Sequence, residues 1–242
     1  MSEVHSVYDL QLERDVFISL VSGRGSGKTV LASNLIHYYL TAPEDKRCHF
    51  AYLFSSTAKI NRQTNSSYSF FDDRAIMEPT PEVLNPFIYN LKLSQIKTKN
   101  KYHVLLVLDD IDVSLKLKSV EWLATKGRHY SITVVILSQI TNCALSPKIR
   151  ANNDYVIWRK VGIDALRTDI FKYMSVAEFT KFKQLLEYTL ANFSDYKFIM
   201  YDNKKDSDKI KNVRAQELPK DFKYKLASPT PKRKRRNNLI KW

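Results

Sequence analysis

Glycine is scarce in this chain of 242 residues: there are five, and three of them, Gly23, Gly25 and Gly27, fall within five positions. Cysteine is scarcer still. Cys48 and Cys143 are too few for a disulfide framework, which fits a reducing intracellular compartment. The five histidines are scattered, and no C-x-x-C or H-E-x-x-H spacing occurs, so a zinc-type site has no sequence support. No apolar run approaches the ~20 residues that span a bilayer. The N-terminus MSEVHSVYDLQLERD carries charges where a signal peptide needs an apolar centre. These absences lead to the expectation of a soluble intracellular protein without a membrane partner.

What is present is an ordinary amount of core and a surplus of positive charge. With 44% hydrophobic residues the chain can bury a sizeable core, enough for one α/β domain with a tail. The formal net charge is +14, and residues 201–242 hold 14 Lys+Arg against 5 Asp+Glu. A polyanion is the natural partner of such a surface. Nucleic acid fits better than membrane, because no basic amphipathic helix with an apolar face accompanies the charge.

The glycines belong to the stretch VFISLVSGRGSGKT, Val16 to Thr29. A short run that is apolar on both faces reads as a buried, central, parallel strand. It enters a tight turn and then an amphipathic helix, Thr29–Leu40. Without Cβ atoms at the three glycines, an anion can approach the backbone closely. The amides of Ser22, Gly23, Arg24, Gly25, Ser26, Gly27, Lys28 and Thr29 are then expected to cradle phosphates at a helix N-terminus. Lys28 reaches the β/γ phosphates of ATP, and the Thr29 hydroxyl ligates Mg²⁺. The strict pattern G-x-x-x-x-G-K-[ST] has glycine where this chain has Ser22, a residue small enough to be tolerated.

A second signal is His103-VLLVL-Asp109-Asp110, a buried strand that ends in two acids. Open α/β folds bind ligands at that strand end. Asp109 is the expected Mg²⁺ ligand and Asp110 the residue that orients or deprotonates the attacking water; Asp112 is assigned to capping the next helix. Gln139 closes the strand ITVVIL-Ser-Gln, where an amide can contact the γ-phosphate and the lytic water. Arg128 in Gly127-Arg128-His129 and Arg150 in Lys148-Ile-Arg-Ala-Asn are both candidates for an arginine that neutralises transition-state charge from a neighbouring subunit.

The alternation of strands (16–21, 49–54, 103–108, 132–137, 155–158) with helices (29–40, about 81–100, 115–126) predicts a mostly parallel sheet with helices on both faces. Residues 55–79 read as loop with a short helix. Ser175 to Glu178 has the form of a capping box ahead of Phe179, Phe182, Leu186 and Leu190, and Lys197–Tyr201 reads as an edge strand. The expected organisation is a polar lead-in over 1–15, a P-loop ATPase domain over 16–201, and a flexible basic tail over 202–242.

The order SGRGSGKT, VLLVLDD, GRH, ILSQ and IRAN, at these intervals, resembles the poxvirus-type genome-packaging ATPases of large DNA viruses, members of the FtsK/HerA superfamily of P-loop translocases. The similarity runs from about Val16 to Trp158. It implies a RecA-like core with an additional strand, a homo-oligomeric ring of five or six subunits, and ATP-driven movement of double-stranded DNA into a capsid, with a capsid or portal protein as partner. Lys28, Thr29, Asp109, Asp110 and Gln139 match the family's phosphate, metal, water-activating and sensor positions. Much of the superfamily has Asp-Glu at the acidic pair, so Asp110 is a shorter acid than usual. The expected setting is the host cytoplasm, at the viral factory, or the nucleus, or the virion. The tail segment PKRKRR reads equally as a nuclear-import signal and as a phosphate-binding arm, with a merely solubilising tail as a third reading. Two other classes share the P-loop: a nucleotide kinase-like phosphotransferase and a nucleotide-dependent DNA-binding protein that does not hydrolyse.

Overall fold

The computed structural model describes residues 3–58, 68–109, 118–139, 147–171, 181–192, 196–205 and 209–226. Among these, nine strands form one sheet: β1 Val4–Ser6, β2 Phe17–Ser22, β3 Phe50–Ser55, β4 Ile76–Met77, β5 Val104–Asp109, β6 Ile132–Ser138, β7 Tyr155–Arg159, β8 Lys197–Asp202 and β9 Ile210–Arg214. Their order across the sheet is β1-β9-β8-β7-β2-β6-β5-β3-β4. Every neighbouring pair from β7 to β4 is parallel, and β8 alone runs against both its neighbours. The helices are α1 Lys28–Thr41, α2 Pro81–Thr98, α3 Lys118–Lys126, α4 Pro147–Arg150 and α5 Phe182–Ala191, with a helical turn Ile163–Ala165 running into a π-helix, Leu166–Phe171.

The expected α/β architecture is therefore present, and its cause is visible in β2. All six residues of that strand are buried. Alternate side chains leave on opposite faces of a strand: Ile18 and Leu20 join the core under α1, with Leu31, Leu35, Leu53 and Val107. Phe17 and Val21 join the opposite core, with Leu84, Val120, Trp158 and Leu185 of the other helices and strands. Burying a large apolar side chain is worth about 1.5–3 kcal/mol, so a strand buried on both faces belongs at the centre.

The ends of the chain differ from the reading above. Residues 3–15 are not a mere lead-in: β1 pairs in parallel with β9 through Val4↔Asn212 and Ser6↔Arg214, and Val7, Leu10 and Leu12 are buried. β8 is interior rather than an edge strand, because β9 covers its far side. The stretch expected to begin a flexible tail at 202 instead supplies β9 and then a strap over 215–226. The strap crosses the outer side of α1. The Gln216 backbone N–H donates to Asn34 Oδ1 (2.8 Å) and Asn34 Nδ2 donates to the Gln216 carbonyl (2.9 Å). Farther on, the Ala51 N–H of β3 donates to the Tyr224 hydroxyl (2.8 Å), and the Tyr224 N–H donates to the Phe70 carbonyl (2.8 Å). The Leu226 N–H then donates to Asp72 Oδ2 (2.9 Å) and Arg74 Nη2 donates to the Leu226 carbonyl (2.6 Å). The capping box at Ser175–Glu178, Cys143 and the PKRKRR run lie outside the described residues.

The strap's last anchor is pH-sensitive with a definite sign. Hydrogen bonds from Arg74 hold the Asp72 carboxyl well below its ordinary value of 3.8, and the Leu226 N–H adds to them. A depressed carboxylate stabilises the fold above its unfolded pKa and loses that contribution as pH falls through the folded one. Amide hydrogen exchange at Leu226 is accordingly expected to stay slow at pH 5–7 relative to the intrinsic rate and to lose protection progressively as pH falls below the ordinary carboxylate range. In Asp72→Asn the protection is expected to be weak at every pH.

Candidate nucleotide site

The site is built where β2 ends and α1 begins. Gly27 sits at the N-cap of α1 with φ +86° and Gly25 at φ +69°. Ideal helix geometry leaves the first N–H groups of α1 without intrahelical acceptors, and they point out of the helix at the loop. Room is also limiting. A Cβ on Gly23 would meet the Lys160 carbonyl oxygen at 3.0 Å, and one on Gly27 would meet Cδ1 of Tyr196 at 2.7 Å.

Ser22, where the strict motif has glycine, is a working part of this loop. Its Oγ lies 2.6 Å from the Arg159 carbonyl oxygen and 2.5 Å from Ser26 Oγ. One hydroxyl has one proton, so with Ser22 donating to the carbonyl, Ser26 donates to Ser22. Arg159, at the end of neighbouring β7, returns the contact: its Nη1 donates to the Ser26 carbonyl. Its guanidinium lies 5.8 Å from the Tyr196 ring centre and 5.7 Å from that of Phe198, within cation–π range. Sequence reasoning missed Arg159 and Tyr196. No motif marks them; the only signal was that YVIW reads as a strand and that Arg159 follows it.

Register settles how the acids and the glutamine stand to the loop. Leu137 of β6 is level with Asp109 of β5 on one side and with Leu20 of β2 on the other. β6 is thus the additional strand between the loop strand and the acid strand, and Gln139 follows directly on its last residue, Ser138. Lys28, Thr29, Asp109 and Gln139 are thereby brought to the C-terminal edge of three adjacent parallel strands. Asp109 is 4% exposed, with Ser55 Oγ 3.5 Å from its Oδ2. Asp110 and Asp112 lie outside the described residues.

A hydroxyl at Thr29 and a carboxylate at Asp109 form a hard oxygen donor set that suits Mg²⁺ shared with substrate phosphates. Among the described residues no group of three or more His, Cys, Asp or Glu stands ready to hold a metal.

Arg128 stands elsewhere. Arg128 lies on the 3₁₀ turn Gly127–Tyr130 that precedes β6, at the opposite, N-terminal edge of the sheet. Its Nη1 is 3.7 Å from Asp154 Oδ1 and its Nη2 donates to the Asn152 carbonyl (3.3 Å). Burial pushes the Asp154 carboxyl above its ordinary value, opposed by the Phe17 N–H at 2.8 Å and by the Arg128 charge. Arg150 ends α4, and its Nη1 is 3.5 Å from the Thr168 carbonyl. Arg128 is therefore remote from its own chain's phosphate loop. No helix among the described residues is long and apolar enough to cross a membrane.

Comparison with known proteins follows the same lines. The family model described as Poxvirus A32 protein matches residues 3–222. Among solved structures, the DNA-packaging ATPase B204 of Sulfolobus Turreted Icosahedral Virus is similar at 16% identity and TM-score 0.58, over 85% of this chain and 100% of that one. The genome packaging NTPase B204 of Sulfolobus turreted icosahedral virus 2, in complex with ATP-gammaS, is similar at 15% identity and TM-score 0.53, over 84% and 98%. ATPases 2 and 3 of EssC from Geobacillus thermodenitrificans share 13% identity at TM-score 0.52, over 78% of this chain and 38% of that one. At such identities the likeness is one of fold. No curated protein matches the sequence.

Proposed function

This chain belongs to the Poxvirus A32 protein family, and we propose that it is an ATP-hydrolysing motor that moves double-stranded DNA and packages a viral genome. The observation that carries the reading is β6, set between the loop strand and the acid strand with Gln139 at its end. That placement lets one triphosphate touch the loop, the acid and the amide together. The likeness to two viral packaging enzymes supports the same conclusion.

In this reading Lys28 draws the β and γ phosphates onto the loop, and the amides of residues 22–29 fix their orientation. Thr29 and Asp109 would hold Mg²⁺, which would supply positive charge against the triphosphate. Asp110 orients the attacking water, and Gln139 senses whether the γ-phosphate is present. Transition-state charge is met by an arginine from a neighbouring copy in a ring of five or six. Arg128, which stands on the edge of the sheet opposite the chain's own site, and Arg150 are both candidates for this role. A capsid or portal protein receives the DNA, in the host cytoplasm or nucleus.

DNA contact is electrostatic and sequence-tolerant, since no base-reading motif is present. ATP hydrolysis is expected to rise severalfold on adding long duplex DNA at low salt, and the stimulation to fall steeply between 50 and 200 mM salt, as counterion release requires. Residues 227–242 contain six Lys+Arg, so their deletion is expected to make the salt slope shallower by up to about five. Steady-state phosphate release across a salt series checks both. Turnover indifferent to DNA at low salt overturns the motor reading, and phosphate transfer to a nucleoside monophosphate replaces it with a kinase.

A further inference from the structure

A groove of about 250 Å³ opens on the outer side of α1, between that helix, Phe70 and the strap. We propose that it receives the nucleoside half of the bound triphosphate, its base lying between Val30, Phe70 and Leu218. This rests on the phosphate-loop reading above and adds to it a place for the rest of the ligand.

The first intrahelical bond of α1 is Leu31 N–H to the Gly27 carbonyl (3.1 Å), so the amides of Thr29 and Val30 are turned out at the helix end and offer a phosphate the next contacts after Lys28. A nucleoside that follows them passes Val30. Along the axis of α1, Val30 is ~3 Å and Ser33 ~7.5 Å beyond Lys28, the scale of a ribose and a base. Val30 and Ser33, three residues apart, both line the groove where the strap covers α1; Ser33 is buried there, its Oγ donating to the Thr29 carbonyl (2.9 Å).

Size and chemistry agree. Sites that enclose a whole drug-sized ligand run to about 300–1,000 Å³, so 250 Å³ suits one end of a nucleotide. The walls are mixed: Val30, Phe70, Leu218 and Phe222 give apolar and aromatic surface, Gln216 offers polar atoms to a base edge, and the Ser33 hydroxyl, whose proton goes to the Thr29 carbonyl, can accept, with Lys220 and Lys223 at the rim side of the strap. The walls are also held in place. Phe70 is 6% exposed and packs on Phe222 at 5.2 Å between ring centres. The backbone of Gln216 is fixed to buried Asn34 by the paired hydrogen bonds given above.

Two measurements test this. Photolabelling the full chain with 8-azido-ATP is expected to mark the peptide spanning 215–226; labelling confined to 159–165 or 196–205, around Tyr196, overturns the proposal. The second compares ATP with inorganic tripolyphosphate by titration calorimetry. Ser33→Trp, which fills the groove, is expected to weaken ATP at least 30-fold and tripolyphosphate less than twofold. Leu218→Ser, a milder change on the strap, is expected to weaken ATP 3- to 10-fold, again sparing tripolyphosphate. Unchanged ATP affinity, or equal weakening of both ligands in both variants, overturns the assignment. If the unaltered protein binds neither tripolyphosphate nor ATP, the phosphate-loop reading fails first and takes the groove with it.

Discussion

Lys28→Ala is expected to lower ATP turnover by at least about 10²–10³-fold, the usual cost of removing one preorganised donor from developing phosphate charge. Lys28 is 7% exposed at the first position of α1, so its ammonium acts where water screens little. The substitution spares the helix, since alanine is the best helix former. A thermal melt within a few degrees of the unaltered protein, together with loss of phosphate release, is the expected pair of results. Lys28→Arg is expected to fail almost as fully, because a planar fork cannot replace a compact point charge in a loop this tight. Turnover retained within tenfold in Lys28→Ala places the chemistry elsewhere.

Arg159→Met is expected to weaken ATP binding by about 10²-fold without touching any phosphate contact. Arg159 is 6% exposed, and its guanidinium donates to the carbonyl of Ser26 inside the loop while lying near the faces of Tyr196 and Phe198. Leaving a buried acceptor unsatisfied costs about 1–3 kcal/mol, and each cation–π contact is worth about 0.5–2 kcal/mol. A combined loss near 3 kcal/mol, at 1.4 kcal/mol per tenfold, depopulates the binding-competent loop by about two decades. The signature of such a positioning role is a split: ATP affinity falls, while the rate at saturating ATP drops far less. Arg159→Lys is expected to restore part of the affinity. A fall in the saturated rate with affinity intact makes Arg159 a participant in the chemistry instead.

What could be read in advance, and what could not, follows from how far apart the partners lie along the chain. The loop over 22–29 is contiguous, so its glycines, Lys28 and Thr29 announce the local geometry that the structure has. The strands 104–109 and 132–138 were legible because apolar runs buried on both faces look alike in any order, and their placement follows from the resemblance. Ser22, however, is explained by Arg159, 137 positions away. No periodicity carries that information. β9 was hidden for a different reason. Ile210–Arg214 carries Lys211 and Arg214 and lies in a lysine-rich stretch, so composition pointed to a solvated tail, although Asn212 and Val213 are buried. β1, with only three residues, is too short to give an alternation. The arginines illustrate a third limit: Gly127-Arg128-His129 stands out as a motif, yet nothing in it tells that Arg128 sits at the N-terminal edge of the sheet beside Asp154.

The pairing of the first strand with the last has a consequence for biosynthesis. Chains emerge N-terminus first, so Val4–Ser6 waits beside an open seam until Ile210–Arg214 has been made. The band that crosses α1 arrives later still. A nascent chain can thus shape its glycine turn early, yet the wall that Gln216 and Leu218 contribute is missing until translation is nearly over. Premature termination between residues 202 and 210 leaves the far side of β8 and the outside of α1 bare, which turns a truncated product into a sticky fragment rather than a slow enzyme.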